Sequence, residues 1–317
     1  MATLTLTRKL DYPQEDKMST AIKKFGQYVL LSVYNEADLL VFQTDSLRID
    51  FDIRHIKGWS RAKFDLFNLS PSTIRKLSNG DNYVTVETSL HDSPLKVIAN
   101  KMYISNALEE VAVPNSITSL YCYSKVRKKF LEVQIDIVVS EPTLRRKLEE
   151  ALKAADFDGS VIYKYFPKDV LDFVPPKPTS KQSGSLTDVL DKLGGSNKFN
   201  VYTEDGNIVF MYKPDFNNLS DTDMYTSEGD VILDTKNMRA NPKIGPATLS
   251  IVSNLDPYIK PTTILNTSRL LTAGTSTDQN TLEVAENYLR DKVAGSDKYQ
   301  TLSVQHKGSN WTANWST

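Results

Sequence analysis

The sequence predicts a mainly β protein with an α/β insertion, in which two barrel- or sandwich-like β domains flank a small α/β region. Short segments of alternating apolar and polar residues, separated by turn residues, fill residues 28–140 and recur after residue 217. Between these blocks, the apolar residues change from a period of two to the spacing of an amphipathic helix. Many short strands with regular turns are typical of barrels and sandwiches.

The first block follows an N-terminal stretch, residues 1–27, which is polar and carries no clear period over its length. We expect it to be an arm that needs a partner surface to become ordered. Residues 28–140 then form the first β domain. Its predicted strands are 28–34, 39–42, 47–53, 62–69, 83–88, 95–105, 107–113, 117–123 and 130–139.

The segment 51–77 predicts strand, loop, strand and then an abrupt helix start. Phe64 and Leu66 alternate with polar residues, as in a strand with one buried face. Ser70 can accept a hydrogen bond from a free backbone N–H, and Pro71 suits the first helical position because it has no N–H. We therefore expect a helix at residues 72–77.

The small α/β domain is predicted at residues 141–216. An amphipathic helix covers 143–155, while residues 174–185 are rich in Pro, Lys, Ser and Gly and indicate an exposed loop. Ser185 should cap a second helix that ends at Gly194-Gly195. A hairpin at 199–211 would turn at Asp205-Gly206.

The second β domain is predicted at residues 217–317. It opens with an acidic loop at 217–230, and Pro and Gly residues then punctuate the chain. Further along, strands are predicted at 247–254 and 262–271, a helix at 281–293 and a closing strand at 299–306.

The composition excludes several classes of protein. The 317 residues carry 38 Lys and Arg against 39 Asp and Glu, so a global basic field is missing and duplex DNA is not expected as a direct ligand. The single cysteine, Cys122, cannot form an internal disulfide and is expected to be a packing residue. No long apolar stretch or leader pattern is present, so we expect folding in a reducing cytoplasm.

Candidate site residues each have a simpler structural interpretation. The histidines His55, His91 and His306 lack a second ligand at metal-binding spacing, so local hydrogen bonding is favoured over a ligand or base. The acidic residues at and beside the loop 217–230 do not follow the order of a calcium loop, and a solvated loop is favoured over an ion site or a glycosidase pair. These residues are Asp215, Asp221, Asp223, Glu228 and Asp230.

The clustered basic residues and the tryptophans also have a simpler structural interpretation. A cluster at 125–129 lies at a predicted strand-to-strand turn, and a cluster at 145–147 lies on the exposed side of the first helix, near Glu149 and Glu150. Both are expected to be solubilising or to form salt bridges rather than to bind DNA. The tryptophans are expected to pack or to anchor interfaces rather than to stack on sugars. The residues concerned are Lys125, Arg127, Lys128, Lys129, Arg145, Arg146, Lys147, Trp59, Trp311 and Trp315.

Three segments, which we call islands, carry a family resemblance. They are FDLFNLSPSTIRKL at 64–77, PKIGPATLSIVSNLDPYIKPTTILNTSRLL at 242–271 and YQTLSVQHKGSNWTANW at 299–315. In this order and spacing they resemble the baseplate hub proteins of contractile-tailed bacteriophages, including the Mu-like late control type.

The resemblance implies a structural protein with two domains similar to tail-tube subunits. Three copies would form a ring with pseudo-sixfold symmetry, contacting the tail tube on one face, the central spike on the other and neighbouring baseplate proteins. A channel for DNA would remain, with no specific nucleic-acid site and no membrane anchor. The protein would be assembled in the host cytoplasm and belong to the virion tail baseplate.

We therefore predict a protein that is not an enzyme, with no catalytic, cofactor-binding or metal-binding residues. The alternatives are a tail-tube initiator or terminator adaptor, a peptidoglycan-cleaving tail component or a glycan-binding one. Two β blocks in one chain favour the hub over a single tube subunit.

Overall fold

The computed structural model describes residues 27–56, 59–90, 94–112, 115–174, 176, 179–204, 206–212, 231–233, 238–240, 243–245, 248–266, 298–311 and 316. The predicted arm, the acidic loop at 217–230 and the helix at 281–293 lie outside these residues, apart from Gln27.

The described elements confirm a mainly β chain with an α/β insertion. The helices are α1 (Pro71–Ser78), α2 (Lys125–Glu132), α3 (Leu144–Ala154), α4 (Lys168–Asp172) and α5 (Leu186–Ser196). The strands of the first part are β1 (Gln27–Tyr34), β2 (Leu40–Thr44), β3 (Ile49–Ile56), β4 (Trp59–Phe67), β5 (Tyr83–Leu90), β6 (Lys96–Ala112) and β7 (Asn115–Ser124). They are followed by β8 (Gln134–Ser140), β9 (Val161–Lys164), β10 (Thr179–Ser185), β11 (Phe199–Glu204) and β12 (Asn207–Tyr212). The last are β13 (Val231–Ile232), β14 (Lys243–Gly245), β15 (Thr248–Ser250), β16 (Ile264–Asn266), β17 (Lys298–Gln300) and β18 (Val304–Ser309).

The largest element is an eight-stranded antiparallel sheet in the order β18-β3-β4-β7-β6-β5-β1-β2. Alternate residues of its central strands point to one core, as period-2 burial requires. Buried residues of β1, β3, β4, β5, β6 and β7 all belong to this single cluster. Leu77 of α1 packs into it as well. Because distant strands share one core, the sheet curves around it as barrels do. Its largest fully buried members include Phe64, Leu31, Ile49, Ile53, Leu66 and Leu120.

Helix α1 begins as predicted. The Ser70 hydroxyl accepts a hydrogen bond from the Thr73 backbone N–H at 3.2 Å, and Pro71 occupies the first turn. At the other end, the Asn82 side chain donates to the backbone carbonyls of Lys76, Leu77 and Asn79. The helix is therefore capped by side chains at both ends.

Two strand predictions in the first domain were wrong. The predicted strands 95–105 and 107–113 form one strand, β6, whose register shifts between Ile104 and Asn106. The Ser105 hydroxyl at this bulge donates to the Tyr121 carbonyl at 2.8 Å, so the extra residue is accommodated without ending the strand.

The predicted strand 130–139 is a helix followed by a strand, α2 and β8. Val126 and Phe130 lie four residues apart and are both buried in the core of the α/β region, so helical packing overrides the local alternation. The basic cluster at 125–129 therefore lies on a helix rather than at a turn.

The α/β region packs α3 and α5 against β8, β10 and a second sheet in the order β11-β12-β9. Helix α3, the Ser185 cap of α5 and the hairpin of β11 and β12 agree with the predictions made from the sequence. The predicted loop 174–185 was wrong in its second half, because residues 179–185 pair with β8 along their whole length. Gly194-Gly195 does not end α5; a Cβ at Gly194 would lie 2.9 Å from the Phe199 carbonyl oxygen, so Gly permits close packing there.

The C-terminal part contains only short strands among the described residues. Strands β15 and β16 occupy parts of the predicted strands 247–254 and 262–271. The predicted closing strand 299–306 is split into β17 and β18, and β18 pairs with β3 at the end of the main sheet. The predicted domain boundaries stay a prediction, with the addition that residues 304–309 complete the sheet formed by residues 27–124.

Candidate assembly surface

The sheet brings the three islands into one body. Strand β18 of the last island lies beside β3, which lies beside β4 of the first island. From the middle island, Leu255 packs into the core of the main sheet, and Ile259 packs with Val304. The Thr262 backbone N–H also donates to the Thr301 carbonyl at 2.9 Å. Segments separated by more than two hundred residues of sequence therefore form one continuous structure.

The outer face of β18, β3, β4 and β7 carries a dense set of charges, which we call the charged face. On β3, Asp50, Asp52 and Arg54 alternate with the core residues Phe51 and Ile53. On β4, Arg61, Lys63 and Asp65 alternate with core residues in the same way. The face is completed by Gln305, Lys307 and Ser309 of β18 and by Ser119, Tyr121 and Tyr123 of β7.

Like charges lie directly opposite each other on this face. Asp50 faces Asp65, and Arg54 faces Arg61. Such pairs are destabilising in an antiparallel sheet unless each charge has another partner. The partners come from two residues away on the same strand, because those side chains share a face. The ion pairs are Arg48 with Asp50 at 2.8 Å, Arg54 with Asp52 at 2.9 Å and Lys63 with Asp65 at 2.9 Å.

Neighbouring strands add hydrogen bonds to the same carboxylates. Ser119 of β7 donates to Asp65 at 2.5 Å, Ser309 of β18 donates to Asp50, and Gln305 donates to Asp52 at 2.8 Å. Partial burial alone would raise the pKa of Asp52, but the hydrogen bonds from Arg54 and Gln305 hold that pKa below its ordinary value. The hydrogen bond to Asp65 likewise raises the pKa of Lys63.

The arrangement gives a hydrated surface whose charges are fixed and largely compensated. Each ion pair is about one-third exposed and contributes little to stability by itself. A surface of this kind suits a polar wall or a protein contact. It does not present the concentrated positive charge that a strong nucleic-acid site requires.

A second feature of the outer face is a row of tyrosines. Tyr34, Tyr83, Tyr103 and Tyr123 lie in register on four neighbouring strands. The ring centroids of Tyr83 and Tyr103 are 5.8 Å apart, and those of Tyr103 and Tyr123 are 5.2 Å apart. The Lys125 ammonium at the start of α2 lies 5.5 Å from the Tyr83 ring centroid. Helix α2, which belongs to the α/β region, therefore packs against the sheet at this row of tyrosines.

The sheet, the α/β region and the C-terminal part meet around two histidines. The rings of His55 and His306 are 5.8 Å apart edge to face, and His55 Nδ1 lies 2.7 Å from the Ser60 hydroxyl. A cavity of about 10 Å³ at this junction has room for one water molecule. Its lining is His55, Ile98, Thr203, Pro257, Lys260, Pro261 and His306.

His306 is a neutral core residue at this junction. Its side chain is almost completely buried, and burial together with the charges of His55 and Lys260 lowers its pKa to about 3. A hydrogen bond with the Ile259 backbone acts in the opposite direction but is weaker. The buried ring and its hydrogen bond with Ile259 describe its surroundings, and the expectation that His306 is neither a ligand nor a base stays a prediction.

The remaining sequence candidates do not converge on one site. Arg145 pairs directly with Asp172 at 2.8 Å, with a weaker electrostatic contribution from the expected Glu149, and Arg146 pairs with Glu141 at 3.0 Å. Cys122 is buried in the core of the sheet, and burial raises the pKa of its thiol. Trp311 is half-exposed at the end of β18. His91, Trp315, the side chains of Trp59, Lys128 and Lys129, and the acidic residues Asp215, Asp221, Asp223, Glu228 and Asp230 lie outside the description.

The sequence analysis did not predict the charged face. The signal was present in residues 48–54, where Arg, Asp, Asp and Arg alternate with Ile, Phe and Ile. Within the described ranges, no cluster of three or more potential metal ligands occurs. The helices in those ranges are all too short or too polar to cross a membrane.

Comparison with solved structures finds tail proteins, one of them from a prophage, and a component of a type VI secretion system. A tail protein from Neisseria meningitidis matches 68% of this chain and 58% of its own length at 13% identity, with a TM-score of 0.43. The 43 kDa tail protein of prophage MuSo2 from Shewanella oneidensis matches 88% and 81% at 12% identity, with a TM-score of 0.43. A type VI secretion component of Escherichia coli that exhibits structural similarity to bacteriophage T4 tail proteins matches 85% and 71% at 11% identity, with a TM-score of 0.48.

No family model and no curated protein matches the chain. The chain spans 58% of the length of the Neisseria protein. With identities of 9–13% and TM-scores of 0.36–0.48, these likenesses do not assign the chain to a family.

Proposed function

We propose that the protein is a non-enzymatic baseplate hub of a contractile phage tail. The observation that carries the proposal is the union of the three islands: those that resemble hub proteins supply β18 and the end of β4, which both pair with β3, and the residues Leu255 and Ile259 that pack beside them. A resemblance that rested on unrelated fragments would have no reason to converge on one surface.

Three copies would form a closed ring between the tail tube and the central spike, with neighbouring baseplate proteins around it. Among the described residues, no further strand pairs with the β2 end of the main sheet, and cyclic assembly is a physical means of covering such an edge. The protein would then be part of the virion, with its function set by geometry rather than by chemistry.

The oligomeric mass tests this proposal. Light scattering after size-exclusion chromatography should give three times the chain mass of 35.7 kDa, either for the protein alone or on addition of the spike protein from the same phage. Dissociation at high dilution should be reversible. A protein that stays monomeric when the spike and the tube protein are added would contradict the hub assignment. A hexameric ring would favour a tube initiator or terminator.

We further propose that the charged face suits the wall of the channel through which DNA passes. Its carboxylates prevent a basic field, so that DNA can slide without binding. The face carries four cations, Arg54, Arg61, Lys63 and Lys307, against three carboxylates, so changing Asp50, Asp52 and Asp65 together to Asn should raise its net charge from +1 to +4. The variant should bind duplex DNA at physiological salt with an affinity that falls steeply as salt rises, whereas the wild-type protein should not bind.

The matched control changes three exposed carboxylates of the α/β region, Asp136, Asp172 and Asp188, to Asn. This control alters the net charge of the protein equally but leaves the charged face intact. Fluorescence anisotropy with a labelled duplex measures both variants. Equal DNA binding by the two would indicate a general charge effect and remove the assignment of the face to the channel.

A further inference from the structure

Thr262 has a strained backbone conformation. Its φ is +79°, in the left-handed region that side chains branched at Cβ rarely adopt. None of the other described non-glycine residues with positive φ is branched at Cβ. Thr262 is only 2% exposed, and strain of this kind persists only where the surrounding contacts impose it.

Two parts of the chain hold Thr262 in place. The Lys164 ammonium, at the end of β9 in the α/β region, donates a hydrogen bond to the Thr262 hydroxyl at 2.7 Å. The Thr262 backbone N–H donates to the Thr301 carbonyl, and the Thr301 N–H donates to the Thr263 carbonyl, both at 2.9 Å. Because Thr301 directly follows β17, Thr262 joins the α/β region to the C-terminal part.

The residues just before Thr262 contact the main sheet. Lys260 and Pro261 line the cavity that is also lined by His55 and His306, and the Ile259 backbone forms a hydrogen bond with the His306 ring. Residues 257–263, which we call the junction segment, therefore contact all three parts of the molecule. The main sheet and the α/β region each have a buried core of their own, so loosening the junction segment would leave both cores intact.

We propose that the Lys164–Thr262 hydrogen bond is a releasable contact that holds the junction segment in its strained conformation. The bond is only partly buried, so water can replace the hydroxyl as the partner of the ammonium. Once the bond is broken, Thr262 relaxes to an unstrained φ and its N–H leaves the Thr301 carbonyl. The α/β region can then shift against the main sheet without unfolding of either core. Backbone strain is typical of segments that switch between two arrangements.

Hydrogen exchange in residues 298–301 of the full-length protein tests the proposal. Lys164→Met keeps an unbranched side chain but removes the donor, and it should accelerate amide exchange in these residues by about tenfold. Exchange in β3 and β4 should not change, because the opening is local. The matched control, Lys181→Met, removes an exposed lysine of the same region that pairs with Asp136, and it should behave as wild type. Unchanged exchange in Lys164→Met, or equal acceleration in β3 and β4, would overturn the proposal.

A change of Thr262 separates the strain from the hydrogen bond. Thr262→Asn keeps a side-chain oxygen as an acceptor, and Asn tolerates the left-handed region better than a residue branched at Cβ. In this background Lys164→Met should accelerate exchange in residues 298–301 by less than about threefold, because the strain that favours release is reduced. Equal acceleration in the two backgrounds would show that strain has no part in the opening and would overturn the proposal. The measurement needs no ring or partner, so its failure leaves the proposed hub function untouched.

Discussion

Removing residues 304–317 will leave a protein that aggregates rather than one that has lost only a terminal segment. Strand β18 forms six register pairs with β3, and β3 contributes Ile49, Phe51 and Ile53 to the main core. Without β18, the backbone of β3 becomes a long edge beside the charged face, and exposed edges promote association. Size-exclusion chromatography and light scattering of freshly purified protein measure this outcome.

A change of Asn310 tests the pairing of β18 with β3 at a single residue. The Asn310 side chain accepts a hydrogen bond from the Ile49 N–H at 2.8 Å and donates one to the Leu47 carbonyl at 2.6 Å. Its own N–H donates to the Ile49 carbonyl at 3.1 Å, so the residue extends the β18–β3 ladder with its side chain. Asn310→Ala leaves two backbone groups without these partners and should lower the free energy of unfolding by about 1–3 kcal/mol.

The matched control for Asn310 is Gln305→Ala on the preceding strand, β18. Gln305 is exposed on the charged face and bonds to a partly exposed carboxylate, so its loss should change the free energy of unfolding by less than about 0.5 kcal/mol. Urea unfolding of the two variants gives the comparison. Equal destabilisation by both changes would show that the Asn310 hydrogen bonds do not hold the end of the sheet.

The second large effect is a loss of stability in mild acid through His306. In the unfolded chain this side chain has a pKa near 6.5, whereas burial lowers the folded value to about 3. Between these values the unfolded state binds the additional proton, so stability is complete above pH 6.5 and falls as the pH falls toward 3. At pH 5 the loss amounts to roughly 2 kcal/mol.

A non-titrating variant isolates this contribution. His306→Leu removes the proton-binding group from a site lined by Ile98, Pro257 and Pro261 and faced by His55 and Lys260. Its free energy of unfolding at pH 7.5 will differ from wild type, but the further loss between pH 7.5 and 5 should be smaller by roughly 2 kcal/mol. Identical pH dependence in the two proteins would mean that His306 is not the titrating group.

Local chemistry is sufficient to predict elements whose stabilising contacts lie within a few residues. Helix α1 is an example. The Ser70 side chain accepts a hydrogen bond from the Thr73 backbone N–H, and Pro71 lies at the first helical position, whatever surrounds the helix. The same holds for β4 and for α3, whose buried Leu144, Leu148 and Leu152 recur at helical spacing. These periods are properties of the sequence alone.

Predictions fail where a distant partner decides the structure. Residues 125–132 could alternate as a strand or wind as a helix, and burial of Val126 and Phe130 in the α/β core selects the helix. Residues 179–185 carry a loop composition, yet the unpaired backbone of β8 makes them a strand. Ser105 shows the same limit, since only its contact with Tyr121 reveals that β6 continues through a bulge.

The sequence by itself determined the mainly β class, the α/β insertion, the helix starts at Ser70 and Ser185, and the alternation of charged and apolar residues on β3. Only the tertiary structure decided that β18 completes the sheet beside β3, that Asp50 and Asp65 face each other across one surface, and that His306 lies buried beside His55. The physical reason is that periodicity and capping act over one or two turns of chain. Strand pairing across some two hundred and fifty residues is settled by which edges and apolar faces remain to be covered once the chain has folded.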